Sequence, residues 1–169
     1  MTSKLCTSLL VLGTLAMMAC DTTAPLVDAH SVIGSGYADF DDDGQGGAGD
    51  NLYFVDATVD SDGQTAGTWR ADVFIDYGGG TVFDFEALYS VDCLEVDATT
   101  KEAWVEGVVF EANDPEFLGR RAFLYVRDGD PGGDDLHAIT PFRDDAVTCA
   151  DRPAPDFMET VESGDYSVE

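Results

Sequence analysis

The chain has 169 residues, enough for one domain with a hydrophobic core, and its 44% share of hydrophobic residues excludes a purely disordered acidic chain. Its unusual property is charge, because 34 Asp and Glu residues stand against only 8 Lys and Arg, for a formal net charge of −26. Nucleic acid is therefore not expected as a partner, since phosphate binding depends on clustered Lys and Arg.

The first predicted element is a signal peptide over residues 1–19, whose apolar run is too short to span a bilayer. Residues 15–20, L-A-M-M-A-C, resemble a bacterial lipobox, which implies that Cys20 is acylated and becomes the new N-terminus. Two or more acyl chains would anchor the protein stably to a membrane. We therefore expect an exported lipoprotein of the cell envelope, periplasmic or on the outer surface. The alternative is cleavage after Ala24, which would release a free secreted protein.

A short tether over residues 20–30 precedes a single predicted domain over residues 31–169. Apolar and polar residues alternate over residues 53–59, 69–77 and 83–91, and turn signals recur about every ten residues. Helical periodicity is weak throughout. The pattern predicts an all-β fold, either an antiparallel sandwich or a small up-and-down barrel, with about eight strands.

A hairpin is predicted over residues 91–111. Leu94 and Val96 alternate with acidic residues before the turn at residues 97–102, and Ala103, Val105 and Val109 share one side after it. A further amphipathic strand follows over residues 121–127, and its arginines are expected to pair with carboxylates on neighbouring strands. Residues 164–168 are predicted to form a closing strand.

The cysteines predict one disulfide bond. Cys6 leaves with the signal peptide and Cys20 takes the lipid, so Cys93 and Cys149 remain as a pair in an oxidising compartment. Metal binding or thiol catalysis is disfavoured, because neither cysteine has a nearby His or a C-x-x-C partner.

The hairpin also carries a family resemblance. Residues 93–107, C-L-E-V-D-A-T-T-K-E-A-W-V-E-G, together with N-D-P-E-F-L-G over 113–119 and R-D-G-D-P-G-G-D-D over 127–135, resemble uncharacterised exported β-domains of environmental bacteria. That family has a Cys-Leu-x-Val hairpin with a following Ala-Trp and Gly, and it often ends in a short Gly-polar-aliphatic strand. The resemblance implies export and an antiparallel β fold, and it implies no activity. The acidic stretch over residues 39–50 departs from the family pattern.

That acidic stretch, D-F-D-D-D-G-Q-G-G-A-G-D, matches the spacing of a calcium-binding loop. Asp39, Asp41, Asp43 and Asp50 would supply carboxylate oxygens around a turn at Gly44, with calcium as the cofactor. A solvated glycine-rich loop is the alternative, since the sequence predicts no flanking helices. The net charge of the whole chain also has two possible explanations. One is adaptation to salty surroundings, and the other is cation binding by a minority of the carboxylates.

Other chemistry finds little support. Neither His30 nor His137 has a sequence neighbour that suggests zinc or a catalytic triad, and the common nucleophile, phosphate-binding and dinucleotide motifs are missing. We therefore predict a non-enzymatic envelope module that binds an unidentified protein or small molecule or helps to structure the cell surface. A small barrel that carries an apolar ligand is the alternative, and a hydrolase ranks last. In a protein that is not a carrier, four aromatic residues should fill the core: Trp69, Phe83, Phe85 and Trp104.

Overall fold

The computed structural model describes residues 28–41, 46–130, 132–140, 148–155 and 158–169. Within these ranges the only helices are short 3₁₀ turns at Pro115–Phe117 and Cys149–Asp151, so no helix there is long and apolar enough to cross a bilayer. The nine strands are β1 (His30–Phe40), β2 (Ala48–Val59), β3 (Thr65–Asp76), β4 (Val82–Asp97), β5 (Glu102–Ala112), β6 (Arg121–Arg127), β7 (Leu136–Thr140), β8 (Glu159–Thr160) and β9 (Ser163–Val168).

All nine strands belong to one curled antiparallel sheet, a half-barrel, in the order β8-β7-β6-β5-β4-β3-β2-β1-β9. The predicted all-β antiparallel class is confirmed. The sheet is single and curled, so it resembles the predicted barrel more than the sandwich. The nine strands agree with the predicted number of about eight, and β8 with its two residues is too short to show an alternating pattern. Strand β1 begins at His30, one residue before the predicted start of the domain.

Strand β4 joins two segments that the sequence pattern separates. Its inward-facing residues are Tyr89 and Val91 in the first half and Leu94 and Val96 in the second, so the inward phase changes from odd to even numbers. Pairing with β5 shifts register between Leu88 and Tyr89 and again between Val91 and Cys93. The second shift is a β-bulge, in which Asp92 is the extra residue of β4. The bulge changes which residues face inward, so a single strand accommodates both alternating patterns.

The chain itself joins the two edges of the sheet. Strand β8 ends at Thr160 on one edge and β9 begins at Ser163 on the other. Val161 and Glu162 cannot span a flat sheet of this width, because neighbouring strands lie about 4.8 Å apart. The sheet therefore curls until its edges approach, and the amide of Glu162 donates to the carbonyl of Tyr37 in β1 at 2.8 Å.

Side chains satisfy the edge of β9 that faces away from β1. Asp135 Oδ2 accepts a hydrogen bond from the amide of Tyr166 at 2.7 Å, and Asp128 Oδ2 accepts one from the amide of Val168 at 3.3 Å. The Lys101 ammonium donates to the carbonyl of Val168 at 2.9 Å and lies 3.7 Å from Asp128. These side chains take the place of a neighbouring strand and complete the closure of the sheet.

The inner face of the sheet holds the main hydrophobic core. The rings of Trp69 and Tyr89 stack with centroids 3.5 Å apart, and Phe85 packs edge-to-face on Phe117 at 4.9 Å. Gly107 lies against the indole of Trp69, where a Cβ atom would come within 2.6 Å of Nε1. Other buried members of this core are Val32, Tyr53, Val55, Ala57, Ala71, Ala87, Val91, Leu94, Val96, Ala103, Val105, Val109, Ala122, Leu124, Val126, Tyr166 and Val168.

We predict that Asp135→Ala lowers the free energy of unfolding by about 1–3 kcal/mol, because the amides of Gly129 and Tyr166 both lose their acceptor. Urea denaturation measures the change, and hydrogen exchange at the Tyr166 amide should accelerate. Asp134→Ala is the matched control, since Asp134 is an exposed carboxylate in the same loop. Equal stability of the two variants would contradict the closing role of Asp135.

For the hydroxyl of Tyr89 we predict that its removal stabilises the protein. This hydroxyl is buried without a hydrogen-bond partner among the described residues, so Tyr89→Phe should raise the free energy of unfolding by about 1–2 kcal/mol. Burial also raises the pKa of Tyr89. Above pH about 10 the Tyr89 phenol ionises in the unfolded wild type but stays neutral in the folded one, which lowers the stability of the wild type. The stability advantage of Tyr89→Phe should therefore increase above that pH. Tyr166→Phe removes a hydroxyl bonded to His137 and should instead destabilise. Urea titrations across pH test both variants.

Candidate functional site

The predicted pairing of Cys93 and Cys149 is confirmed. The two cysteines form a disulfide bond with their Cα atoms 6.0 Å apart and 56 residues apart in sequence. Cys93 belongs to β4, whereas Cys149 opens the 3₁₀ turn that follows β7. The bond therefore fastens the segment over residues 148–155 onto the outer face of the sheet.

That segment covers a second hydrophobic cluster. Trp104 and Tyr125 pack edge-to-face with centroids 5.6 Å apart, and the indole of Trp104 donates to the carbonyl of Pro153 at 3.2 Å. The guanidinium of Arg152 lies 5.3 Å from the centroid of the Trp104 ring. Trp104 therefore belongs to the outer cluster and not to the inner core, where Trp69 and Phe85 are buried as predicted.

Glu106 anchors the same segment from beneath. Its carboxylate is buried, accepts a hydrogen bond from the amide of Cys149 at 3.3 Å and lies 2.7 Å from Nε of Arg121. Arg121 also pairs with Asp92 at 2.9 Å. The predicted pairing of the β6 arginines with cross-strand carboxylates is met at Arg121.

We predict that replacing both cysteines, Cys93→Ser with Cys149→Ser, lowers the free energy of unfolding by about 4 kcal/mol on the chain-entropy model. Loosening of residues 148–155 should expose Trp104 and shift its fluorescence to longer wavelength. Urea denaturation and emission spectra provide the two measurements. Chemical reduction of the wild type is the matched control and should reproduce both changes, whereas an unchanged midpoint would contradict the prediction.

Three of the four predicted calcium ligands, Asp39, Asp41 and Asp50, lie at or just beyond the adjoining ends of β1 and β2. Asp39 and Asp50 occupy directly opposed positions on the two strands, and Asp41 is exposed beyond them. The phenol of Tyr37 donates to Asp39, and this hydrogen bond raises the pKa of Tyr37 to about 12. Asp43 lies outside the described residues, as does the predicted lipidation site Cys20.

No group of three or more His, Cys, Asp or Glu side chains within the described ranges is arranged to hold a metal ion. Because Asp43 is not among those residues, calcium binding by the 39–50 loop stays a prediction. In the acidic, glycine-rich connection between β6 and β7, Asp128 and Asp135 hold β9 in place. The sequence pattern did not reveal this structural role.

Inside the curled sheet, polar side chains from four strands meet around His137. Its Nδ1 is 3.0 Å from the Tyr166 hydroxyl, and its Nε2 is 3.5 Å from a carboxylate oxygen of Glu159, to which Asn51 also donates. Tyr53 packs edge-to-face on the imidazole at 4.7 Å. Burial is the main cause that raises the pKa values of Tyr53 and Tyr166, so both phenols stay protonated.

This cluster contains an acid, an imidazole and a phenol, which are groups that can exchange protons. His137 is fully buried, however, and Gly36 packs so closely that a Cβ there would lie 2.8 Å from Nδ1. A reactant has no space at the imidazole. The arrangement therefore bridges β2, β7, β8 and β9, with Tyr166 as the hydrogen-bond partner of the imidazole and Glu159 beside its other nitrogen.

A groove lies open on the outer face of β1 to β4, and we call it the outer groove. It measures about 440 Å³. Ile33 and Phe54, which are 52% and 43% exposed, line this same groove, whereas exposed apolar side chains are usually scattered singly over a surface. The lining residues are Ile33, Gly34, Ser35, Phe54, Val55, Asp56, Thr68, Trp69, Arg70 and Leu88.

Strand register produces the outer groove. Phe54 is opposite Arg70, and Arg70 is opposite Leu88, so the three side chains form a row across β2, β3 and β4. Ile33 in β1 adds a third apolar side chain to Phe54 and Leu88, and it is opposite Asp56. The sequence signal was an apolar residue at an outward position of an alternating strand, as at Phe54. Without the register, that signal could not be connected to Leu88 or Ile33.

Comparison with known proteins adds no relative: no family model matches the chain, and neither the curated proteins nor the solved structures contain a similar one. The resemblance to exported bacterial β-domains therefore stays a prediction.

Proposed function

We propose that this protein is a non-enzymatic lipoprotein of the cell envelope that acts through its surface, as a binding or structural module. The observation that carries the proposal is the packed interior of the curled sheet. The largest fully buried side chains there are Trp69, Tyr53, Tyr89, Leu124 and His137.

A carrier of apolar ligands needs an internal pocket of several hundred cubic ångströms. In this protein the stacked rings of Trp69 and Tyr89 occupy the inner face, and Gly107 has no room for even a methyl group. A hydrolase needs acid and base groups that meet its substrate. Here the groups around His137 are buried in contact with one another. Both observations favour a function at the outer surface over carriage or catalysis.

Two features support export. The Cys93–Cys149 bond suits an oxidising compartment, where disulfides persist. The lipobox-like residues 15–20 would place the acyl anchor on Cys20, and the tether would then connect the membrane to β1. Calcium bound at Asp39, Asp41, Asp43 and Asp50 would stiffen the β1–β2 turn in the same compartment.

Metabolic labelling of the full-length chain with an alkyne analogue of palmitate, in a bacterium that processes lipoproteins, tests the anchor. We expect label on the wild type in the membrane fraction, and Cys20→Ser should lose both the label and the membrane association. Cys6→Ser is the matched control and should keep them, because Cys6 leaves with the signal peptide. Label that persists in Cys20→Ser would refute lipidation at this residue. One-to-one uptake of a fluorescent fatty acid by the purified protein would favour the carrier alternative.

A further inference from the structure

We propose that the outer groove binds a cationic amphipathic polypeptide segment, whose apolar side chains enter the groove while its Lys and Arg residues face the surrounding carboxylates. The inference rests on the proposed function, since it names the class of partner for a surface-acting envelope module. Its basis is that exposed apolar side chains and carboxylates lie together on one face of the sheet.

The apolar part of the site comes from Ile33, Phe54 and Leu88, which line a groove of about 440 Å³. Phe54 and Leu88 lie two strands apart, which corresponds to about 10 Å. Two side chains seven residues apart on a helix are separated by a similar distance, about 10.5 Å along its axis. The groove therefore has the spacing of successive apolar anchors on an amphipathic helix.

The negative charge around the groove favours a positively charged partner. Arg70 lies within the groove, but its guanidinium is 2.7 Å from Asp72 and 3.7 Å from Glu86, so its charge is compensated. Asp56 lines the groove, and Asp165 is opposite Ser35 on the neighbouring strand β9. These carboxylates belong to a chain with a net charge of −26, so an acidic peptide or an anionic lipid surface would be repelled.

Fluorescence anisotropy with the full chain in phosphatidylcholine nanodiscs tests the proposal. The binding peptide is a labelled Leu/Lys helix of about four turns, and a Ser/Lys peptide of equal charge and a Leu/Glu peptide serve as comparisons. At a salt concentration of about 0.15 M we expect the Leu/Lys peptide to bind at least about tenfold more tightly than either. Empty nanodiscs give the background to be subtracted.

Phe54→Ser should weaken binding of the Leu/Lys peptide by about tenfold or more. Phe74→Ser is the matched control, because Phe74 is 41% exposed on the same outer face, lies between Asp50 and Asp84, and is not part of the groove. Its affinity should stay within about twofold of wild type. Urea denaturation of both variants verifies that they fold.

Equal affinity of Phe54→Ser and wild type would overturn the proposal, as would equal losses in both variants or equal binding of the Ser/Lys peptide. Those results would indicate general attraction to an acidic surface. Tight binding of the Leu/Glu peptide would also overturn it. Because lipidation at Cys20 is measured separately, loss of peptide binding with intact labelling would remove this partner class and leave the envelope proposal standing.

Discussion

The architecture depends on how the last strand is held. Strand β9 is paired along one side with β1, and on its other side the carboxylates of Asp128 and Asp135 accept its amide hydrogens. Lys101 completes the contact by binding a β9 carbonyl. A curled sheet would otherwise leave these groups unpaired in a partly buried position, at a cost of about 1–3 kcal/mol each. Charged side chains thus replace a missing strand, and the acidic glycine loop between β6 and β7 becomes a structural device.

Two further sets of contacts stabilise the closed sheet, one on its inner face and one on its outer face. Inside, the contacts of His137 with Glu159 and Tyr166 connect strands that are distant in sequence, and aromatic rings fill the remaining volume. Outside, the Cys93–Cys149 bond and Glu106 hold a short segment over Trp104. The inner face is therefore committed to packing and the β5–β6 outer face is covered. The outer face of β1 to β4 carries the outer groove, where we propose that a partner binds.

The sequence was sufficient to predict the all-β fold class, the alternating segments of β2 and β3, the β4–β5 hairpin and the disulfide bond. These features could be predicted because alternation along a strand and the number of cysteines can be read directly from the sequence. The bulge in β4 could not, since a phase change from Val91 to Leu94 also fits two separate strands. Strand β8 has only two residues and gives no periodic signal. Trp104 was misassigned to the core because an outward aromatic residue becomes buried only when residues 148–155 fold over it. The outer groove required the register between Phe54, Arg70 and Leu88.

The short link through Val161 and Glu162 has a consequence for self-association. An open sheet of this size would present two long rows of free amides and carbonyls, which template the addition of strands from other molecules and lead to fibrils. Here one edge strand spans only Glu159–Thr160, and the other is capped by carboxylates and an ammonium group. The two short or capped edges thereby protect the folded domain from edge-to-edge aggregation.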